Sequence, residues 1–438
     1  MRVRVLLFAG LGLIATRPAV AQRASGPAAA QATSIPAEPP SWLDVGGQLR
    51  ARAEAYDGGG FNGNNSDQYL LTRVILNARV HPTRSTAFFV EGIDARGAWK
   101  NKAPAGAPFR DNADIRQLYL QFGADNTKQT LRAGRQELAF GDGRLVGSLP
   151  WANTLRSFDG AHATLSRTAY RVDAFAASVV RVDQIKFDKN LPGNNFYGIY
   201  VNSSTLVPRS TVEPFLFWRR QSGLPSEAGV IGVKNFGTLG LRAIGKLPRH
   251  FDYDTQMAAQ SGSLGDESIG AWAGHWALGY TVAASPMTPR VFTEYNQASG
   301  DKNPTDNKKG TFDQLYPTGH DKYGLTDLVG WQNMKHTRSG VELAVAKGWS
   351  ATARYSRYWL ANAHDALYNG GGAAVARSAS GAAGTYVGQE ADVIANGKLR
   401  QGLGLSAGLG RLYPGTFLKK TTPGHAYTYP YAMLTFDF

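Results

Sequence analysis

The chain has 438 residues, 43% of them hydrophobic and 18% charged, with a formal charge of +14 and no cysteine. That length admits one to three soluble domains or a single large β-barrel, and the lack of cysteine excludes a disulfide framework and a thiolate metal site. The excess of Lys and Arg calls for an anionic partner.

Residues 1–21 read as an export signal. Arg2 and Arg4 precede an apolar run from Val5 to Ala15, and Ala19-Val20-Ala21 gives the small-x-small pattern for cleavage after Ala21. The run is too short for a membrane helix, which takes about 20 apolar residues. Without Arg2, Arg4 and Arg17 the remaining chain keeps a charge of +11, and its export argues against nucleic acid as the anion. Residues 22–41 are rich in Ala, Pro and Ser and lack the large apolar side chains of a core, as in a flexible leader. Residues 42–438 then form one domain.

From Trp42 onward the apolar pattern has period two. In "QLRARAEAY", Leu49, Ala51, Ala53 and Ala55 fall on one face, and Gln48, Arg50, Arg52, Glu54 and Tyr56 on the other. In "YLLTRVILNARVHP", Leu70, Thr72, Val74, Leu76, Ala78 and Val80 oppose Arg73, Asn77, Arg79 and His81. The pattern returns in "QLYLQFG", "YRVDAFAASVV", "TLGLRAIGKL", "WALGYTVAAS", "SGVELAVAKG", "SATARYSRYWL" and "LSAGLGRLY". Short turns such as "HPTRS" and "SRTAY" alternate with long polar loops, the layout of an outer-membrane barrel. Trp42, Tyr56, Tyr69, Trp99, Tyr170, Trp218 and Trp359 at segment ends would suit interfacial girdles. The closing "AYTYPYAMLTFDF" alternates to a terminal Phe438, the kind of end that barrel-assembly machinery reads. The expected fold class is all-β: a transmembrane antiparallel β-barrel of about eighteen strands, with long external loops and short periplasmic turns.

Nothing in the chain reads as catalytic. His81, His162, His250, His275, His320, His336, His364 and His425 are scattered without a paired-ligand spacing, and neither a G-x-S-x-G elbow nor a P-loop occurs. "GLGLSAGLG" at Gly402–Gly410 lacks a strand-turn-helix setting and reads as a close-packed strand. Asp301, Asn303 and Asp306 offer oxygen ligands but not at EF-hand spacing, so a solvated loop is the favoured reading and no metal is expected.

The cationic face remains. Parity puts Arg50, Arg52, Arg73, Arg79, Arg132, Arg338 and Arg354 on polar faces. Lipid charges about 2–4 kcal/mol for an arginine at the bilayer midplane, so these side chains should face the lumen and select anions. A guanidinium fork suits carboxylates because it makes two parallel hydrogen bonds to them. Glu54, Glu91, Glu342, Glu390 and Asp392 share those faces as lumen ion-pair partners, and they would keep a polyanion from binding too tightly to move on. The stretch from Gly134 to Leu165 packs Arg135, Glu137, Asp142, Arg144 and Asp159 among glycines and aromatics. It is expected to be a strand entering a folded-in loop whose charges form a network beside the lumen.

Longer blocks in this sequence resemble the alginate-export outer-membrane proteins. They are "GRQEL" at Gly134–Leu138, "GDGRLVGS" at Gly141–Ser148, Trp151, Asn153 and "FDG" at Phe158–Gly160. The run Ser299–Asn333, "DALY" at Asp365–Tyr368 and "VGQEAD" at Val387–Asp392 are similarly characteristic. The resemblance implies an eighteen-stranded barrel with an arginine-lined constriction that passes an alginate-like polyuronate outward, and loops that plug or gate the lumen. It implies no cofactor. The implied partners are an anionic polysaccharide, outer-membrane lipid, the barrel-assembly machinery and periplasmic secretion components. Two other classes stand beside it. One is an anion-selective porin for small organic acids. The other is a barrel enzyme, which needs an activated nucleophile near a base, and no such pairing is visible. Ser299–Asn333 is the expected cover of the mouth, with Asn369–Gly384 the next choice.

Overall fold

The computed structural model describes residues 40–102, 108–124 and 127–438. The expected export signal and nearly all of the expected leader lie outside the described residues.

Alternating sequence becomes long strands. The first six are β1 (Leu43–Asp57), β2 (Ser66–Thr83), β3 (Thr86–Ala98), β4 (Asp111–Phe122), β5 (Gln129–Gln136) and β6 (Phe158–Ser166). The next six are β7 (Tyr170–Arg181), β8 (Lys189–Ser203), β9 (Ser210–Pro225), β10 (Ile231–Lys246), β11 (Phe251–Leu264) and β12 (Glu267–Thr281). The last six are β13 (Arg290–Ala298), β14 (Met334–Ala346), β15 (Trp349–Leu360), β16 (Tyr386–Arg400), β17 (Leu403–Pro414) and β18 (Tyr427–Asp437). Each pairs antiparallel with its sequence neighbour, and β18 returns to β1 with Leu49 opposite Phe436 and Ala53 opposite Ala432, so these eighteen strands close a barrel. A two-residue strand, Lys308–Lys309, adds to β12 inside a long loop. One short helix, Thr416–Thr421, buries Phe417 and Leu418 beside β16. Among the described residues no helix is long and apolar enough to cross a membrane.

The end that carries residue 438 has short turns, and the opposite end has the long connections, which makes it the external end. The outer face is apolar, as Leu49, Leu76, Phe88, Leu120, Leu131, Leu216, Leu239, Trp272, Val393 and Leu434 are all well exposed. An unpartnered apolar surface of this extent is stable only against lipid. Trp42, Trp99, Tyr170 and Trp218 are likewise exposed, as girdle residues would be. Tyr69 is not a girdle residue, because its parity turns it inward, where it is buried and donates to Glu54 Oε2 at 2.7 Å. Tyr56, also on the inner face, stacks on Tyr427.

Two external connections do not stay outside. Residues 137–157 and 299–333 fold into the lumen and share an apolar core with the inner wall. Leu138, Phe140, Leu145, Val146, Phe312, Tyr316 and Trp331 pack there with Phe158, Phe175, Phe196, Phe217 and Phe236. "GLGLSAGLG" is indeed strand, and its glycines have a packing role. A Cβ on Gly410 would meet Asp392 Oδ1 at 3.0 Å, Leu325 Cβ at 3.1 Å and Thr326 Cγ2 at 3.2 Å. The missing side chain is what lets the second loop lie against β17.

Candidate functional site

The interior of the barrel is the candidate site, and its chemistry begins with arginines on the wall. Arg50, Arg52 and Arg73 are 5%, 2% and 4% exposed, which for a residue of this kind requires partners on all sides. The partners are backbone carbonyls of the first inward loop. Arg50 donates to Pro150 O at 2.7 Å, Ala152 O at 3.0 Å and Asn153 Oδ1 at 3.0 Å. Arg73 donates to Ala152 O at 2.9 Å, Pro150 O at 3.2 Å and Gln48. Arg52 bonds Trp151 O and pairs with Glu54, and its guanidinium lies 3.9 Å from the Trp151 ring centroid. On the other face of Trp151 the His320 ring stacks at 3.7 Å and 5°.

The second loop is held by the opposite wall. Arg338 donates to Asp321 O at 3.0 Å and to Glu294 Oε2 at 3.0 Å. Arg354 clamps the Asp321 carboxylate. Arg219 holds Asp313 Oδ1 at 2.9 Å, and Lys234 pairs with the same carboxylate. Thr326 of this loop donates its N–H and hydroxyl to Glu390 at 3.0 and 2.7 Å. Asp392 lies 3.8 Å from Arg354 Nε.

The two loops also bind each other and so form one plug. Val146 and Tyr316 make a parallel bridge, with Gly147 N to Tyr316 O at 2.9 Å, Tyr316 N to Leu145 O at 2.9 Å and Thr318 N to Gly143 O at 2.8 Å. Arg156 donates across the seam to Tyr316 O and Pro317 O, and within its own loop to Gly147 O. Arg144, expected on the lumen surface, instead rides on the plug, where it reaches Tyr323 Oη at 3.1 Å, Asp142 at 3.1 Å and Asn296 at 3.4 Å. Lys322 pairs with Asp142 at 3.2 Å. Burial alone would raise the carboxyls of Asp142, Asp313 and Asp321. Lys322 and Arg144 on the first, Arg219 and Lys234 on the second and Arg354 on the third outweigh it, so all three are held below the ordinary carboxylate range.

Toward the short-turn end the wall cations bond to other wall residues. Arg79 donates to Tyr119 Oη at 3.2 Å and Arg132 to Gln121 Oε1 at 2.8 Å. Arg290 sits opposite Glu342 in the β13–β14 register and bonds it at 3.1 Å and Asp252 at 2.6 Å.

Two expected residues lie on the other side of the wall. Arg135 and Asp159 stand opposite each other in the β5–β6 register and share a face with exposed Leu118 and Leu131, whereas neighbouring Phe158 points inward. Their pair, Nε to Oδ1 at 2.7 Å and Nη2 to Oδ2 at 3.1 Å, is therefore on the outer surface near the external rim and not in the lumen. The expected single network splits into three: Arg135–Asp159 outside, Glu137 with Arg116 at 2.9 Å on the inner wall, and Asp142–Arg144 in the plug. Glu91 also pairs with Arg116.

Several interior charges escaped the sequence reading. Arg116 is the extra residue of a β-bulge in the β3–β4 ladder, between Gln117 opposite Glu91 and Ile115 opposite Gly92, which shifts its parity. Arg219, Lys234 and Arg242 lie in strands whose alternation is interrupted by inward aromatics, Phe215, Phe217 and Phe236. Arg242 pairs with Glu213 at 2.7 Å and Asp254 at 2.6 Å. The scattered histidines partly converge, since Asn296 bridges His275 and His336 at 2.7 and 2.9 Å.

At the external mouth, Asp301 is buried rather than solvated. Its N–H donates to Asp365 Oδ2 at 2.9 Å, and Asn303 N–H donates to its Oδ1 at 3.1 Å. Asp306 instead caps Lys308 N–H at 3.1 Å. Glu267 is also buried, and burial followed by the carboxylates of Asp301 and Glu267 pushes Glu227 up to about 8.

The family described as "Alginate export" matches residues 41–431. A search of curated proteins finds no significant match. Among solved structures, Pseudomonas aeruginosa OpdQ superposes with a TM-score of 0.60 at 12% identity, over 90% of this chain and 98% of that one. Acinetobacter baumannii OccAB2 gives 0.59 at 12% identity and P. aeruginosa OccK8 (OprE) 0.59 at 11%, each over 90% of this chain and 98% of the other. At these identities the likeness is one of fold.

Proposed function

The chain belongs to the alginate-export family and is an outer-membrane channel, and on that footing we propose that its cargo is an acidic polysaccharide, an alginate-like polyuronate, passed along the wall arginines. The observation that carries this is the plug. Carbonyls of Pro150 and Ala152 and the carboxylates of Asp313 and Asp321 occupy guanidinium and ammonium groups that are otherwise in the lumen. A uronate carboxylate offers the same acceptor as Asp321 and suits the same fork. The polymer exchanges with plug acceptors one residue at a time, so no buried charge is left unpaired, a state that costs about 3–5 kcal/mol. Arg79, Arg132 and Arg290 continue the cationic path toward the short-turn end, with Glu342 weakening the hold of Arg290 enough for release.

A second reading, an anion-selective porin for small organic acids, rests on the completeness of the plug. Phe140, Tyr316 and Trp331 fill the external half with apolar contacts that a small solute need not disturb.

Planar-bilayer recording with oligouronates of increasing length, and neutral glucans of matched length as control, tests the proposal. Uronate-specific blockade that lengthens with chain length and shortens with voltage is the expected result. Equal blockade by both polymers contradicts the polyuronate reading. Blockade by monomeric acids alone supports the second. No catalytic role is proposed. Export with cleavage after Ala21 is part of the same proposal.

A further inference from the structure

The external rim carries a group of side chains that the channel does not use. β4 pairs with β5 only from Leu118 to Phe122, because the chain leaves β5 at Gln136 to enter the lumen. The upstream part of β4, Asp111–Gln117, therefore lacks a β5 neighbour. The β7–β8 connection, residues 182–188, covers this gap, and its Asp188 N–H donates to Asp114 Oδ2 at 2.6 Å.

In that seam Asp111, Asp114 and Asp188 bring one carboxylate oxygen each to within 4.8 Å of one another, and the three residues are 3%, 5% and 8% exposed. The balance of charge is wrong for a closed protein site. Arg135, the guanidinium that faces them, is committed to Asp159 and gives the group one bond, to the Asp188 carbonyl oxygen at 3.1 Å. Asp94, which bonds the Ala113 N–H at 3.1 Å, adds a further negative charge nearby.

The independent sign of a ligand is Asp111. Asp114 and Asp188 have protein donors, from Asp188 N–H and Asp183 N–H respectively. The Asp111 Oδ1 atom, shut off from solvent, has no hydrogen-bond partner among the described residues. A buried carboxylate without a donor is costly, and such an atom in a native fold calls for an unseen partner. Three carboxylates gathered in one set suit Ca²⁺, which takes about 6–8 oxygen ligands in a flexible geometry, better than Mg²⁺, which keeps several waters and is usually held by one or two carboxylates.

We propose that Asp111, Asp114 and Asp188 bind one Ca²⁺ ion that fastens the β7–β8 loop to the open edge of β4, at the place where the first plug loop leaves the wall. Three monodentate or bidentate carboxylates supply the hard oxygen ligands, and water completes the shell from the solvent side. The ion neutralises the uncompensated charge and replaces the strand pairing that β5 cannot provide there.

The test is a calorimetric titration of the full mature chain, folded in detergent free of lipopolysaccharide, with Ca²⁺ as the sole probe. One ion per chain should bind, and Asp111→Asn should weaken binding at least about tenfold by removing a ligand charge. Glu267→Gln, in the separate acidic group at the mouth, should leave the affinity unchanged. Among the described residues no hydrogen bond is made to Asp111 Oδ1, so the melting temperature of Asp111→Asn in EDTA should equal or exceed that of the wild type, while the rise that Ca²⁺ gives the wild type should vanish. Absence of Ca²⁺ binding in the wild type overturns the proposal. So does wild-type affinity in Asp111→Asn, or loss of the site in Glu267→Gln instead.

Discussion

Arg50 and Arg73 face each other directly in the β1–β2 register, an arrangement of like charges that destabilises a strand pair unless something intervenes. What intervenes is the plug, whose Pro150 and Ala152 carbonyls each accept from both guanidinium groups. A hydrogen bond to a charged group contributes about 1.5–3 kcal/mol. Removing both side chains with Arg50→Ala and Arg73→Ala is thus expected to shift the open population by about a hundredfold or more, seen as a larger mean conductance in single-channel recording. Lysine at both positions should give an intermediate effect, because it keeps the charge without the fork. Wild-type conductance in the double alanine variant would show that these contacts do not hold the plug.

Glu227 supplies a pH test with a definite sign. Burial and the Asp301 and Glu267 carboxylates raise its folded value to about 8, so the stability linked to it is fully present below its ordinary value, about 4.3, and is lost as pH rises through 8. Melting temperature should decline between pH 5 and pH 9, and Glu227→Gln should flatten that slope. Asp142, Asp313 and Asp321 have the opposite sense. Their lowered values stabilise the plug above the ordinary carboxylate range, and that contribution disappears only below about pH 4.

At the scale of elements, the two inward loops act as one body, joined by the Val146–Tyr316 bridge and seated where β17 lacks side chains. Gly410→Leu should push Leu325 and Thr326 off the wall and raise conductance, while barrel assembly, checked by the heat-dependent shift on a denaturing gel, stays intact. Unchanged conductance would mean that the 299–333 loop does not depend on this contact. Deleting Asp301–Gly310 should have the smaller effect, since that flank adds Lys308–Lys309 to β12 while Phe312, Tyr316 and Trp331 do the filling. The strands themselves were legible in the sequence, because one face meets lipid and parity is then forced at every residue. That is why Arg50, Arg52, Arg73, Arg79, Arg132, Arg338 and Arg354 turn inward as their spacing requires. Parity fails where the ladder is irregular or ends. The bulge at Arg116 and the last residues of β5 hid one inward arginine and misassigned Arg135 and Asp159. Loop-to-loop contacts have no period to read. Nor do three aspartates, of which Asp114 and Asp188 are 74 positions apart.

For the whole molecule, function depends on which ion the interior prefers. Arg50 and Arg73 are held by plug carbonyls and not by carboxylates, and on the proposed reading a lumen carrying such cations concentrates anions over a Debye length of about 8 Å. Reversal potential of the mature chain in a KCl gradient tests this most directly, measured for the wild type and for Arg79→Glu with Arg132→Glu, which lie toward the short-turn end away from the plug clamps. A chloride-selective wild type whose preference falls or inverts in the double glutamate variant is the expected result. A cation-selective wild type, or a selectivity indifferent to both substitutions, would contradict the anion pathway.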